Sequence, residues 1–149
     1  MLEIWAVWHT CAAPRSANVS WSLHALHRRG AVEIQILVVL DDDYRAYREV
    51  IAVSIRMLRP HTEVASASLE ELEEAVARLD PNVVISSVAA RAGSCERLAW
   101  VELSLDPARP SMVCVGGRTS ELSNPGLDVL LKIVDEAERL LGKENTGAR

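Results

Sequence analysis

Residues 33–40 read EIQILVVL, an apolar, β-branched run that stops abruptly at Asp41-Asp42-Asp43. A run of that length without polar alternation is a strand covered on both faces, the kind found in parallel sheets flanked by helices. Residues 44–58 then place Tyr47, Val50, Ile51, Ser54, Ile55 and Leu58 at helical spacing. Arg59-Pro60 stops that helix, because proline disfavours helical backbone in the residue before it. Residues 61–67 (HTEVASA) form a short strand. Ser68 caps a helix over 69–79 that buries Leu69, Leu72, Val76 and Leu79, with Glu70, Glu71, Glu73 and Glu74 weighted toward its positive end. Asp80-Pro81 breaks that helix before a third strand at 82–87 (NVVISS). Strand, helix, strand, helix, strand with short links predicts a parallel sheet with right-handed crossovers.

The second half has a different grammar. Residues 88–94 (VAARAGS) are small and featureless, and strands at 99–104 (AWVELS) and 112–117 (MVCVGG) flank a turn at 105–110. That link is too short for a parallel crossover, so the pair is an antiparallel hairpin. The last helix has Asn124 as N-cap, Pro125 in the first position, and Leu127, Leu130, Leu131, Val134, Ala137, Leu140 and Leu141 on its apolar face. Gly142 ends it, leaving residues 143–149 as a polar tail.

Residues 1–31 stand apart as an N-terminal extension, holding three of the four Trp and three of the four His with Glu3 as the one acid. Two readings apply: translation opening at Val32, or a docking helix over 18–29 with Val19, Leu23 and Leu26 on one face. The domain itself then covers 32–142. The net charge of the whole chain, -5 from 21 acidic against 16 basic residues, argues against nucleic acid, which is held mostly by clustered Lys and Arg. No apolar run approaches the ~20 residues of a membrane span. Cys11, Cys95 and Cys114 are odd in number and make no CxxC or Cys/His cluster, which points to neither disulfides nor zinc and to a cytoplasmic setting.

In an open α/β sheet, ligands collect at the carboxyl ends of the strands. Asp41, Asp42, Asp43, Ser86, Ser87, Gly116 and Gly117 are expected there. Over residues 33–87 the pattern VVLDDDYRAYREVI, a weak strand, an acidic helix and DPNVVISS resembles the first half of a response-regulator receiver domain. The resemblance implies a three-layer, flavodoxin-like α/β fold with a mostly parallel sheet, here closed by the antiparallel hairpin and final helix. In that family an acidic pair at the first strand end, matching Asp41 and Asp42 or Asp42 and Asp43, binds Mg²⁺ beside an aspartate at the third strand end. Ser86 or Ser87 stands in that place, and a hydroxyl can neither ligate as an anion nor form an acyl phosphate. The family's later hydroxyl falls at Gly116 or Ser104, and its Lys-Pro pair is echoed by Asn124-Pro125.

These departures imply a degenerate pocket of Asp41, Asp42, Asp43, Ser86, Ser87, Gly116 and Asn124, on a bacterial signalling module that docks a protein partner without phosphorylation. Its final helix and hairpin are the expected partner face, and a homodimer falls within the family's habits. No cofactor is expected, Asp41 and Asp42 being the candidates should Mg²⁺ bind. The alternative is a resemblance to haloacid-dehalogenase-type phosphohydrolases, with Asp41 as nucleophile, Asp43 as general acid, Ser87 on a later strand and Mg²⁺ on the phosphate. There Tyr44-Arg45 replaces the usual Gly and Thr or Val, and a third-motif Lys is not visible. Simpler roles are also open: Asp42 or Asp43 as helix cap, and Gly116-Gly117-Arg118 as an anion loop or a plain turn.

Overall fold

The computed structural model describes residues 33–89 and 97–147. The start at Val32 and the helix over 18–29 lie outside them, as do Cys11 and Cys95. The chain runs β1 (Gln35–Val39), α1 (Arg45–Leu58), β2 (Glu63–Ala67), α2 (Leu72–Leu79), β3 (Val83–Ser86), β4 (Ala99–Glu102), β5 (Ser111–Val115), β6 (Arg118–Leu122) and α3 (Leu127–Gly147). Short 3-10 turns at Asp42–Tyr44 and Leu69–Glu71 lead into α1 and α2.

One six-stranded mixed sheet has the order β2-β1-β3-β4-β5-β6. β2, β1, β3 and β4 pair in parallel, and β5 pairs antiparallel with β4 and with β6. The eight residues between Glu102 and Ser111 allow nothing else, since a parallel return needs a dozen or more. Successive β1 side chains enter opposite layers, as the strand's period of two requires. Ile36, Val38 and Leu40 pack with Ile51, Ile55, Leu130, Ile133 and Val134 of α1 and α3, while Leu37 and Val39 pack with Leu72 and Ala75 of α2 and with Trp100. Helices thus cover both faces. The 3-10 turn that leads into α2 is secured by a capping box, in which the Ser68 N–H donates to the Glu71 carboxylate at 3.0 Å.

Sequence and structure part company in four places. In α1 the buried positions are Arg48, Ile51, Ala52 and Ile55, while Tyr47, Val50 and Leu58 of the expected stripe face outward. β6 was not foreseen; RTSEL lacks an apolar alternation, and its residues 118–121 are exposed. Gly116 and Gly117, at φ +55° and +79°, form the two-residue loop that makes it, because a hairpin of that length with a matching twist needs positive φ at both central residues. Finally, α3 begins at Leu127 and runs through Gly142 to Gly147. Asn124 is not its cap: it sits at φ +42°, and the Gly126 carbonyl accepts the first helical bonds, from Val129 and Leu130 N–H. Past Gly142, Lys143 and Glu144 are good helix formers, so the polar tail continues the helix.

The α1–β2 corner is tied to α3 by charge. The Arg59 guanidinium donates to both Asp135 oxygens, at 2.6 and 2.8 Å, and His61 Nε2 lies 3.1 Å from the Glu138 carboxylate. The Arg59 hydrogen bond holds the Asp135 carboxyl below the usual carboxylate range. A carboxyl depressed in the folded state stabilises above its unfolded pKa, and that contribution disappears as pH falls through the folded value. The melting temperature of Asp135→Asn is therefore expected to fall less steeply on acidification from neutral pH than that of the native chain, the two converging once the carboxyls are protonated. Parallel curves would contradict this role.

A second expectation concerns the hairpin. A Cβ on Gly116 would meet Leu140 Cδ1 at 3.0 Å, whereas one on Gly117 meets nothing. Both substitutions force left-handed backbone on an L-residue, costing about 1–2 kcal/mol. Urea denaturation should show Gly116→Ala losing more than Gly117→Ala, and the reverse order would contradict this packing.

Candidate functional site

The carboxyl edge of the parallel strands brings the β1 and β3 ends together. Val39 pairs with Ser86, and the Ser87 N–H donates to the Val39 carbonyl at 3.3 Å. Asp41, Asp42 and Asp43 follow directly from β1, so the acids and the two serines are neighbours, as expected. Each aspartate is exposed, but two have definite work. Asp41 Oδ1 accepts the Asp43 N–H at 3.0 Å and caps the 3-10 turn, so Asp41 is the cap rather than Asp42 or Asp43. Asp42 Oδ1 accepts from Arg48 Nη1 at 3.2 Å.

Arg48 is the residue the sequence reading passed over. It is 7 % exposed, and the same Nη1 donates to the Leu40 carbonyl at 2.9 Å. Its Nε lies 3.8 Å from Glu49 Oε1, an ion-pair distance, without a hydrogen-bond partner of its own. Glu49 Oε1 in turn accepts the Ser66 hydroxyl at 3.0 Å, which links the group to the end of β2. Glu71, held below the usual carboxylate range by the N–H and then the hydroxyl of Ser68, also feels the Arg48 charge. A guanidinium is therefore set between Asp42 and Glu49. The available signal was its position: 48, 51, 52 and 55 form the inward stripe of α1, and an arginine there must find a carbonyl or carboxylate.

The serines are also committed. Ser86 is fully buried, and its Oγ accepts the Val88 N–H at 3.2 Å, a short turn closing the strand end. Ser87 is half-buried. Among the described residues, no three His, Cys, Asp or Glu side chains converge as a metal-holding group.

Two expected members of the pocket lie elsewhere. Because β5 runs antiparallel, its carboxyl end points to the opposite edge: Val115 pairs with Ala99, and the Gly116 N–H donates to the Leu98 carbonyl at 2.9 Å. Gly116, Gly117 and Arg118 are thus about 13 Å along the strands from the β4 carboxyl end. Their conformation is that of a hairpin turn. Asn124 opens the link from β6 to α3, and β6 lies four strands, about 19 Å, from β1. Neither joins the acids. Ser104 does stand at the carboxyl edge, but its N–H donates to Ser111 Oγ and its hydroxyl to the Asp106 carbonyl, which closes the β4–β5 link.

At the amino edge, Asp80, Pro81, Asn82, Arg97, Leu98, Leu141 and Glu144 line an open groove of about 340 Å³. Arg97 there donates to Asp80 at 3.0 Å and to the Pro81 carbonyl at 2.7 Å, bracing the left-handed Asp80 turn. Trp100 is a buried sheet-face residue, and Cys114 is a buried free thiol. Among the described residues no helix is long and apolar enough to cross a membrane.

Compared with protein-family models, with curated proteins and with solved structures, the chain finds no match. The arrangement of its own residues therefore carries the functional reading. Truncating a buried arginine strands the Leu40 carbonyl and leaves a void, whereas Asp42 has a side chain 74 % exposed. Arg48→Ala is expected to lose about 2–4 kcal/mol in urea denaturation and Asp42→Asn at most about 1 kcal/mol. Equal losses would contradict the view that Arg48 anchors the site.

Proposed function

We propose that this chain is a receiver-like, phosphorylation-incompetent interaction module of bacterial signalling type, which works by docking a protein partner. The observation that supports it best is Arg48: its guanidinium neutralises Asp42 and Glu49, the work a divalent cation would do in a functional acidic pocket. The parallel order β2-β1-β3-β4 with helices on both faces agrees with a flavodoxin-like core, whose switch point lies between β1 and β3 where Asp41–Asp43 and Ser86–Ser87 meet. On this reading Ser86 or Ser87 stands in the place of the phosphoacceptor carboxylate, and the Ser86 hydroxyl accepts the Val88 N–H. A hydroxyl so placed offers no lone carboxylate oxygen to a phosphoryl group, and Asp41 is occupied as a cap. What is left for the domain is recognition by its surface.

The reading is tested by incubating the full chain with Mg²⁺ and acetyl phosphate and recording its intact mass, with Asp41→Asn and Ser87→Ala alongside. The expected mass is unchanged in all three. A phosphoryl adduct on the native chain that Asp41→Asn abolishes would overturn the proposal in favour of the phosphohydrolase alternative.

A further inference from the structure

The large apolar side chains left exposed among the described residues are Tyr44, Tyr47, Val50, Val53, Met57 and Leu58. Isolated exposed apolar residues are ordinary, but here all six fall within α1 and the turn that enters it, with Met57 75 % exposed. At about 100° per residue, Val53, Met57, Val50, Ser54, Tyr47 and Leu58 occupy consecutive directions around the helix, and no charged side chain interrupts them. The inward face of α1 is already filled by Ile51, Ala52 and Ile55. Unlike a surface helix with one apolar stripe, α1 is apolar over most of its circumference, which is the pattern of a helix covered on both sides.

We propose that this outward face of α1 is where two copies of the chain pair, helix against helix, about a two-fold axis. The spacing of Tyr47, Val50, Ser54 and Met57 alternates three and four residues, as in the seam of packed helices. Laid antiparallel on itself, that seam sets Tyr47 against Met57 of the other copy, a favourable sulfur–aromatic contact, and Val50 against the small Ser54. Both ends match at once, as a two-fold contact requires. From the fractional exposures, these six residues leave on the order of 600 Å² per copy open, so a pair can bury at most about 1,200 Å² through them, the low end of stable interfaces.

Each copy carries -5, which opposes pairing through most of the surface, and this uncharged face is where two copies meet without setting like charges against each other. The sheet edges are less suited: Arg56 donates twice to the Val64 carbonyl and so covers the β2 edge, and β6 presents Arg118, Thr119, Ser120 and Glu121. This pairing goes beyond the loss of phosphotransfer and stands whether or not that reading holds.

Sedimentation equilibrium of the full chain across a range of concentrations tests it, with Val50→Glu and Met57→Glu at exposed positions alongside and circular dichroism to check that each variant keeps the fold. The native chain is expected at twice its 16.4 kDa mass, with each variant dissociating at least tenfold more readily. A native chain that stays monomeric, because a different protein or another segment covers α1, overturns the proposal. So does a dimer that neither substitution weakens.

Discussion

The reversal of chain direction after β4 decides where every candidate functional residue ends up. Four parallel strands, β2, β1, β3 and β4, gather their carboxyl ends on one edge. An eight-residue link then returns β5 antiparallel, held by the Ser104 N–H on Ser111 Oγ. From there the Gly-Gly loop must lie at the amino edge, β6 must return to the carboxyl edge, and α3 must cross the sheet back toward Gly116 and Leu140. One short link therefore separates an acidic end from a glycine end that a wholly parallel sheet would have brought together.

At the acidic end, electrostatics explain why an arginine is buried. Burying a guanidinium is costly unless it is paired and hydrogen-bonded. Arg48 meets both conditions through the Leu40 carbonyl, Asp42 and Glu49. It also answers the opposite problem, since Asp42 and Glu49 would otherwise set like charges near the ends of β1 and β2. Arginine suits this better than a hydrated ion because its planar, permanently charged head reaches several acceptors from one covalently fixed position. The same helix that delivers it inward carries Tyr47, Val50, Val53 and Met57 outward, so α1 both closes the pocket and supplies the apolar surface.

The sequence made much of this legible. The β1 run, the Ser68–Glu71 start of α2, the break at Asp80-Pro81 and the antiparallel β4–β5 pair could be read because each rests on local chemistry: burial on both faces, capping, proline sterics and loop length. The proximity of Asp41–Asp43 to Ser86 and Ser87 followed from parallel order. The placement of Gly116 at the carboxyl edge was an error of direction, since an antiparallel strand sends its carboxyl end the other way. β6 escaped because an edge strand exposed on both faces needs no apolar alternation, and its one signal was the Gly-Gly loop. Arg48 escaped because charge reads as solvent-facing until tertiary contacts provide its partners. Tyr47 and Val50 share the helical spacing of Ile51 and Ile55 yet face outward, since periodicity gives a spacing of apolar residues without telling which of two apolar faces meets the sheet.

The central claim is that Asp41 and Asp42 at the end of β1 are satisfied from within the protein, Asp41 as the cap and Asp42 by Arg48. It is tested most directly by titrating the isotopically labelled full chain with Mg²⁺ at millimolar concentration while following the amides of Asp41–Asp43 and the Arg48 Nε–H by nuclear magnetic resonance. The account predicts only small, non-saturating shifts, with the Arg48 signal unmoved. A saturable change centred on Asp41–Asp43 and accompanied by a shift of Arg48 would contradict it, because a metal would then be displacing the guanidinium.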